Sequence, residues 1–222
     1  MHAIDIILKR RSIRKFKDKG VPWDNIVTLL NCALNSPVAG NIWNVKFIIV
    51  RESANIKAIS EACYNQHWIA KAAVVIAIVA EPEHQKRVYG TRGEKLYTIQ
   101  NAATCAMSMV LGAEALGLGT CWVSSFDEDK LRSALGMPEQ ANVHVILPIG
   151  FPDETPKKPT KPWIRTVTYL EKWWGGRKLP AYGYYSEKTM RVAKDAGDAI
   201  QKLSEKILGK GKKEKEKKED KK

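Results

Sequence analysis

What this chain lacks narrows its class. Its longest uninterrupted apolar run, residues 72–80, has nine residues. A membrane span needs about 20, so the run reads as a buried strand. The opening residues MHAIDIILKRR place the basic cluster after the apolar stretch and offer no small-residue cleavage site. That layout is not a signal peptide, and it predicts a cytoplasmic protein with no membrane partner. Cys32, Cys63, Cys105 and Cys121 are far apart and form no CxxC pair. No metal site is therefore expected, and the four read as small buried thiols in a reducing compartment. Internal repeats are absent, and no catalytic triad is recognisable. No GxGxxG opens a helix, which leaves a nicotinamide-binding Rossmann site unsupported.

What is present suits one domain with extensions. The chain has 222 residues, 44% of them hydrophobic, enough for a sizeable core. Its formal net charge is +13. The tail from residue 209 carries eight lysines against four acidic residues, so the excess is spread over the whole chain. Such a balance makes any polyanion a plausible partner and does not separate nucleic acid from a phosphorylated cofactor. The placement of the cations has to decide.

Periodicity predicts the elements. Residues 3–11 read as a short helix with Ile4, Ile7 and Leu8 on one face. Pro22 opens a second helix carrying Ile26, Leu29, Leu30 and Ala33. Residues 35–44 form a loop around Pro37 and Gly40. A strand follows at 45–50, and Ser53 is placed to cap a third helix. The run 73–80 reads as a central strand covered on both faces. A long helix is expected over 94–116, with Leu96, Ile99, Ala103, Ala106, Val110 and Ala113 inward and Gly117 as its left-handed stop. Residues 119–124 read as a strand, Asp127 caps a helix ending at Leu135-Gly136, and 143–147 form a last strand ending in Pro148-Ile149-Gly150. Alternation of this kind predicts an α/β or α+β sandwich around one sheet.

Three segments lie beyond. Residues 152–162, rich in proline and lysine, read as an extended arm. Residues 169–185 are dense in Trp and Tyr and need a surface to bury against, such as a second subunit. Ser186 is placed to cap a helix carrying Ala193, Ala196, Ile200, Leu203 and Ile207, and the lysine-rich end is expected to be solvated and mobile.

Four clusters carry chemistry. In Arg10-Arg11-Ser12-Ile13-Arg14, three guanidinium groups and a hydroxyl gather where a short helix ends. They either cap that helix or grip a phosphate, for which the guanidinium fork is well shaped. In Ser36-Pro37-Val38-Ala39-Gly40-Asn41, small residues let the backbone approach a flat ligand, with Asn41 offering donor and acceptor; a plain turn would look the same. Gly117-Leu118-Gly119-Thr120-Cys121-Trp122 leads from a helix into a strand. Lys157-Lys158-Pro159-Thr160-Lys161-Pro162 is either a solvated linker or the closing side of a phosphate cage.

Taken together and in this order, RRSIRKF, SPVAGN, ALGLGTCWVSSF and ILPIGFPDETPKKPTKP resemble the nitroreductase family of FMN enzymes over about residues 2–167. The resemblance implies an α+β, nitroreductase-like sandwich: a central mixed, mainly antiparallel sheet flanked by helices, in a homodimer with FMN at the interface. It divides the chain into a family domain at 1–167, an aromatic extension and helix at 168–208, and a tail at 209–222. By position, Arg10, Arg11, Ser12 and Arg14 hold the FMN phosphate and ribityl chain. Pro37, Val38 and Asn41 lie against the flavin ring, with Asn41 supplied by the second subunit. Cys121, Trp122 and Val123 line its other side, with Gly150 nearby, and Lys158 or Lys161 reaches the phosphate. The chain departs from the family pattern at Asn41-Ile42-Trp43-Asn44, where many members read N-x-Q-P, and at Asn101, where many carry Asp. Trp43 is thus either a core aromatic or a pocket residue, and Tyr64, Asn65 and His67 either face substrate or end a helix in solvent.

The activity implied is electron transfer from NADH or NADPH through FMN to a nitroaromatic, quinone or similar small acceptor. It needs no side-chain nucleophile, because the cofactor supplies the chemistry. The same fold carries other flavin reactions, reductive dehalogenation and fragmentation of the flavin itself, and the altered 41–44 stretch keeps these open. A basic nucleic-acid-binding module is a third reading, resting on the charge, the lysine tail and the aromatic segment. It lacks a nucleic-acid motif.

Overall fold

A computed structural model describes residues 3–175. The expected helix after Ser186, the second half of the aromatic segment and the lysine tail lie outside the described residues. Two compact units divide the chain, Met1–Lys158 and Pro159–Lys222.

The first unit is an α+β sandwich. Its helices are α1 (Ala3–Lys9), α2 (Trp23–Leu34), α3 (Ser53–Ala62), α4 (Pro82–Arg92), α5 (Thr98–Ala115) and α6 (Glu128–Leu135). Its strands are β1 (Val45–Val50), β2 (Val74–Ala80), β3 (Gly119–Thr120) and β4 (Asn142–Gly150), in the order β1-β2-β4-β3. All three strand pairings are antiparallel. The parallel component is a single bridge from Ser12 to Thr120.

Strand β2 organises the layers. All seven of its residues are buried, because successive side chains enter opposite cores. Val74, Ile76 and Ile78 pack with α2 and α5, together with Val145, Leu147 and Ile149 of β4. Val75, Ala77 and Val79 pack on the other face with Ile56, Ile59 and Ala62 of α3 and Leu131 of α6. Burial on both faces removes the alternation that a half-exposed strand would show. At about 1.5–3 kcal/mol for each large side chain buried, this strand is a main source of cohesion.

Local rules hold at several ends. The Asp127 side chain accepts from the Lys130 N–H and caps α6, and Gly136 ends that helix in the left-handed region. Gly117 does the same after α5, at φ 71°.

Four expectations are corrected. Ser53 does not cap α3; it is the first helical residue, after Glu52, and no side chain bonds there. The long helix does not begin at 94. A separate α4 precedes it, Gly90 leaves helical geometry at φ 58°, and Gly93–Tyr97 forms a π-turn before α5. The inward face of α5 is Thr98, Asn101, Ala102, Cys105, Ala106, Met109, Val110 and Ala113, whereas Ile99 is 52% exposed. The helix has two apolar faces, and spacing alone merged them. Strand 119–124 shortens to two residues, resuming only at a bridge from Val123 to Ile146. Pro148 falls within that lapse on β4, where the missing N–H costs no ladder bond.

Candidate functional site

The arginine segment is laid down by two glycines. After α1 the chain runs extended. Ile13 N–H donates to Thr120 O at 2.9 Å, Lys17 N–H to Phe151 O at 2.9 Å, and Asp153 N–H to Lys15 O at 3.0 Å. The segment therefore lies along the ends of β3 and β4. A β-carbon on Gly119 would come within 2.8 Å of Ile13 Cγ1, and one on Gly150 within 2.9 Å of Phe16 Cδ1. Only glycine permits that approach. The Glu154 carboxylate accepts from the backbone N–H groups of Arg14 and Lys15 and fixes the segment from the other side.

With Ile13 buried, Ser12 and Arg14 share the opposite side of the extended run. There they meet Cys121. Burial, helped by the Glu154 charge, pushes the Cys121 thiol up, against the opposing pull of Arg14, the Ser12 hydroxyl and Arg10. The thiol is thus neutral, and it marks where two guanidinium groups and a hydroxyl converge. Arg10 is half-buried. Among the described residues neither Arg10 nor Arg14 has a carboxylate partner; Arg14 stands 5.8 Å over the Trp68 ring. Arg11 is committed differently. Its Nη1 donates to the carbonyls of Leu8, Lys9 and Arg10 at 2.7–3.0 Å, so it caps α1. A cavity of about 200 Å³ beside the segment is lined by Lys9, Arg11, Glu114 and Glu154. Its mixed charge gives an anion no preference.

The second loop is held by a buried polar network that sequence reading missed. Asn101 accepts from Ala39 N–H at 2.8 Å and donates to Asn44 Oδ1 at 2.9 Å. Asn44 donates to Thr98 Oγ1 at 3.2 Å and to Glu81 O at 3.3 Å, and Thr98 donates to Gly93 O. Gln85, fully buried, donates to Ile42 O at 2.8 Å and Ala39 O at 3.3 Å. The Ser36 hydroxyl lies 2.6 Å from that of Ser108, and Thr104 donates to Pro37 O. Gly40 and Asn41 both take left-handed φ, at 60° and 56°. The Asn41 side chain is left exposed and makes no hydrogen bond among the described residues. The usable signal was Thr98 and Asn101, polar residues three apart on the buried face of an otherwise apolar helix.

These two halves sit at different points along α5. Loop 36–41 is anchored from Ser108 through Thr104 to Asn101, while the arginine segment rests on Gly119, beyond the end of the helix. At about 1.5 Å rise per residue the helix separates them by about 10–20 Å.

A model of the family described as the nitroreductase family matches residues 7–69 and 59–151. The chain belongs to the nitroreductase family. An NADH dehydrogenase of Thermus thermophilus is 30% identical over 174 residues, which span 66% of this chain and 85% of the relative. The crystal structure of a nitroreductase family protein from Clostridium novyi is 29% identical with a TM-score of 0.65, covering 79% of this chain and 96% of that one. An FMN-dependent nitroreductase from Clostridium difficile is 26% identical with a TM-score of 0.66, covering 77% and 99%. Membership makes the protein an oxidoreductase, and the nitroreductase fold matches the sandwich described above.

The remaining expected residues of this nitroreductase-family chain divide. Cys121 and Val123 are buried, Val123 within the α3–α6 core, while Trp122 is 39% exposed and bonds Ser124. Gly150 pairs with Gly119 in the arginine corner. Lys158 is the exposed last residue of the first unit; Lys161, also exposed, belongs to the second. Trp43, half-buried, packs on the α2–α5 core, edge-on to Phe47 at 6.5 Å. Tyr64 and His67 are exposed beside Trp68, on a loop tied to 125–127 through Gln66 and Ala62. Among the described residues no cluster of three potential metal ligands exists, and no helix is long and apolar enough to cross a membrane.

Proposed function

We propose that this nitroreductase-family enzyme holds FMN between two copies of the chain and passes electrons from NADH or NADPH to a nitroaromatic, quinone or similar flat acceptor in two half-reactions. The carrying observation is the pair of guanidinium groups, Arg10 and Arg14, set near Ser12 and Cys121 without a salt bridge among the described residues; Glu154, the carboxylate nearby, is bound to the Arg14 and Lys15 backbone N–H groups instead. Arg10 is half-buried, where a cation without a paired counter-ion is costly, while Arg14 is exposed and free to turn toward a ligand. A dianionic phosphate ester supplies the missing charge and takes two forked hydrogen-bond pairs.

The residues fit the cofactor at both ends. Arg10 and Arg14 would neutralise the phosphate, and the Ser12 hydroxyl would donate to it. Arg11, bound to α1 carbonyls, would act through the placement of its neighbours. Bound FMN supplies a store for two electrons, taken as hydride from the nicotinamide and released to the acceptor. The neutral Cys121 thiol adds no charge at the ring. Asn41, with its amide unpaired, would meet the ring's polar edge, while the small loop residues exclude water from its face.

Two observations support a homodimer. The two halves of the site lie at different points along α5 of one chain, about 10–20 Å apart, and a second copy with its α5 antiparallel would bring one chain's loop toward the other's arginines. Helix α1 buries none of its residues, leaving Ile4, Ile7 and Leu8 more than half exposed; Ile99 and Met107 of α5 are exposed as well. A second copy laid on this face would bury those side chains. The four free cysteines suit the reducing cytoplasm.

The test is the visible spectrum of the purified protein, followed by anaerobic titration with each nicotinamide nucleotide. Flavin absorbance that bleaches on titration, and steady NAD(P)H consumption with quinones or nitroaromatics, are expected. Colourless protein that takes up no FMN overturns the reading.

A further inference from the structure

We propose that Gln85 is a positioning residue for the flavin: from outside the site it holds loop 39–42 in the shape that presents Asn41 to the cofactor. The proposal rests on the FMN reading above, and its tests separate the two.

Gln85 and Tyr89 lie one turn apart on the same face of α4. Between them they grip the loop from one side. The Gln85 amide donates to the carbonyls of Ile42 and Ala39. Tyr89 presses its hydroxyl on Gly40 so closely that a β-carbon there would overlap it. From the other side, Asn101 of α5 accepts from Ala39 N–H. Both backbone polar groups of Ala39 are thereby fixed, and so is the carbonyl that follows Asn41. Asn41 itself carries a left-handed φ, uncommon outside glycine. A residue held this way persists only where its surroundings over-determine it.

The fold of α4 serves the grip. Gly93 turns the chain back on Gln85 so tightly that a β-carbon would overlap the Gln85 carbonyl. The π-turn that follows opens α5 at Thr98, inside the same network. Gln85 also leaves its own Oε1 buried and unpartnered. Such an orphan costs stability in any fold. An apolar residue would avoid that cost, so the amide is explained by its two donated bonds and not by packing.

The test compares wild type with Gln85→Met in two states. In the apoprotein, hydrogen exchange at the amides of Ala39, Asn41 and Ile42 is expected to quicken at least tenfold, with β2 amides unchanged. In the presence of FMN, Gln85→Met is expected to bind about 5- to 100-fold more weakly, the range for two lost hydrogen bonds, with a shifted flavin absorption band. Gln85→Glu supplies the rescue. Its protonated carboxyl can donate to Ile42 O and its carboxylate cannot, so FMN affinity should rise as pH falls in this variant alone. Should Gln85→Met fail to fold, Tyr89→Ala, at a partly exposed position, is expected to quicken the same amides. Unchanged loop exchange in the folded variants overturns the proposal even if the protein is yellow. Quickened loop exchange in Gln85→Met, together with a wild type that takes up no FMN, would overturn the FMN reading and leave the clamp standing. Altered exchange with unaltered flavin affinity and spectrum would overturn the positioning role.

Discussion

Replacing Asn101 with leucine tests the reasoning about the buried network most directly. Asn101 is 2% exposed and bridges α5 to two partners. The change leaves Asn44 Oδ1, in a residue with no exposure, without a donor, and strands the half-buried Ala39 N–H. Each orphaned group costs about 1–3 kcal/mol. Leucine returns roughly 1–2 kcal/mol by apolar burial, so the net loss is about 1–4 kcal/mol. For a chain of this size that lowers Tm by roughly 2–16 °C. Urea denaturation of the apoprotein at fixed concentration measures it, since flavin and dimer formation also shift stability. Asn101→Asp sharpens the test. It keeps the acceptor for Ala39 but faces Asn44 Oδ1 with a second acceptor. Protonated, its hydroxyl can donate there; ionised, it cannot and is buried. Its folded-state pKa is therefore raised, and stability present at low pH is lost as pH rises toward neutrality. Because each single change orphans a partner, Asn44→Leu combined with Asn101→Leu should cost less than the two separately. Additive losses, or a loss under about 1 kcal/mol for Asn101→Leu, would refute the network as drawn.

Other outcomes follow from the same geometry. Arg10→Ala and Arg14→Ala should each weaken FMN binding by about 1–3 kcal/mol with little change in fold; fluorescence titration of the apoprotein measures this, and unchanged affinity in both would make the cluster mere surface. Arg11→Ala should lower Tm with a smaller effect on flavin affinity, since its donors serve α1. Gly119→Val should destabilise strongly by colliding with Ile13, and adding Ile13→Ala should recover part of the loss in thermal melts. His144, the extra residue in the bulge where β2 meets β4, has Nε2 buried without a partner, and burial lowers its pKa from 6.5 against a weaker upward pull from Glu128. The unfolded chain then takes the proton first as pH falls below 6.5, so stability should drop below that pH and stay level above it. His144→Leu should flatten urea midpoints measured between pH 5 and 7.5.

Much of the fold was legible because local rules and burial agreed. Strands β1 and β2, the Asp127 cap and the Gly117 and Gly136 stops each follow from a few adjacent residues. Helix α4 was missed because it is strongly polar and Gly90 breaks its pattern near the end. The arginine cluster was legible as residues but not as roles. Nothing in Arg10-Arg11-Ser12 distinguishes the side chain that caps α1 from the one left unpaired. Trp43 was ambiguous for the same reason, since an aromatic beside a loop can turn either way.

The sequence by itself determined the local chemistry: which stretches bury both faces, where helices stop, and where positive charge clusters. Those depend on periodicity and on backbone preferences that act over a few residues. Tertiary structure decided which polar groups meet. The contacts of Asn101 with Ala39 and Asn44, of Gln85 with Ile42, and of Ile13 with Gly119 join residues about 40 to 110 positions apart. Such pairings exist only once the sheet has set the helices on its two faces, because a hydrogen bond or a missing β-carbon is decided by distances of a few tenths of an ångström.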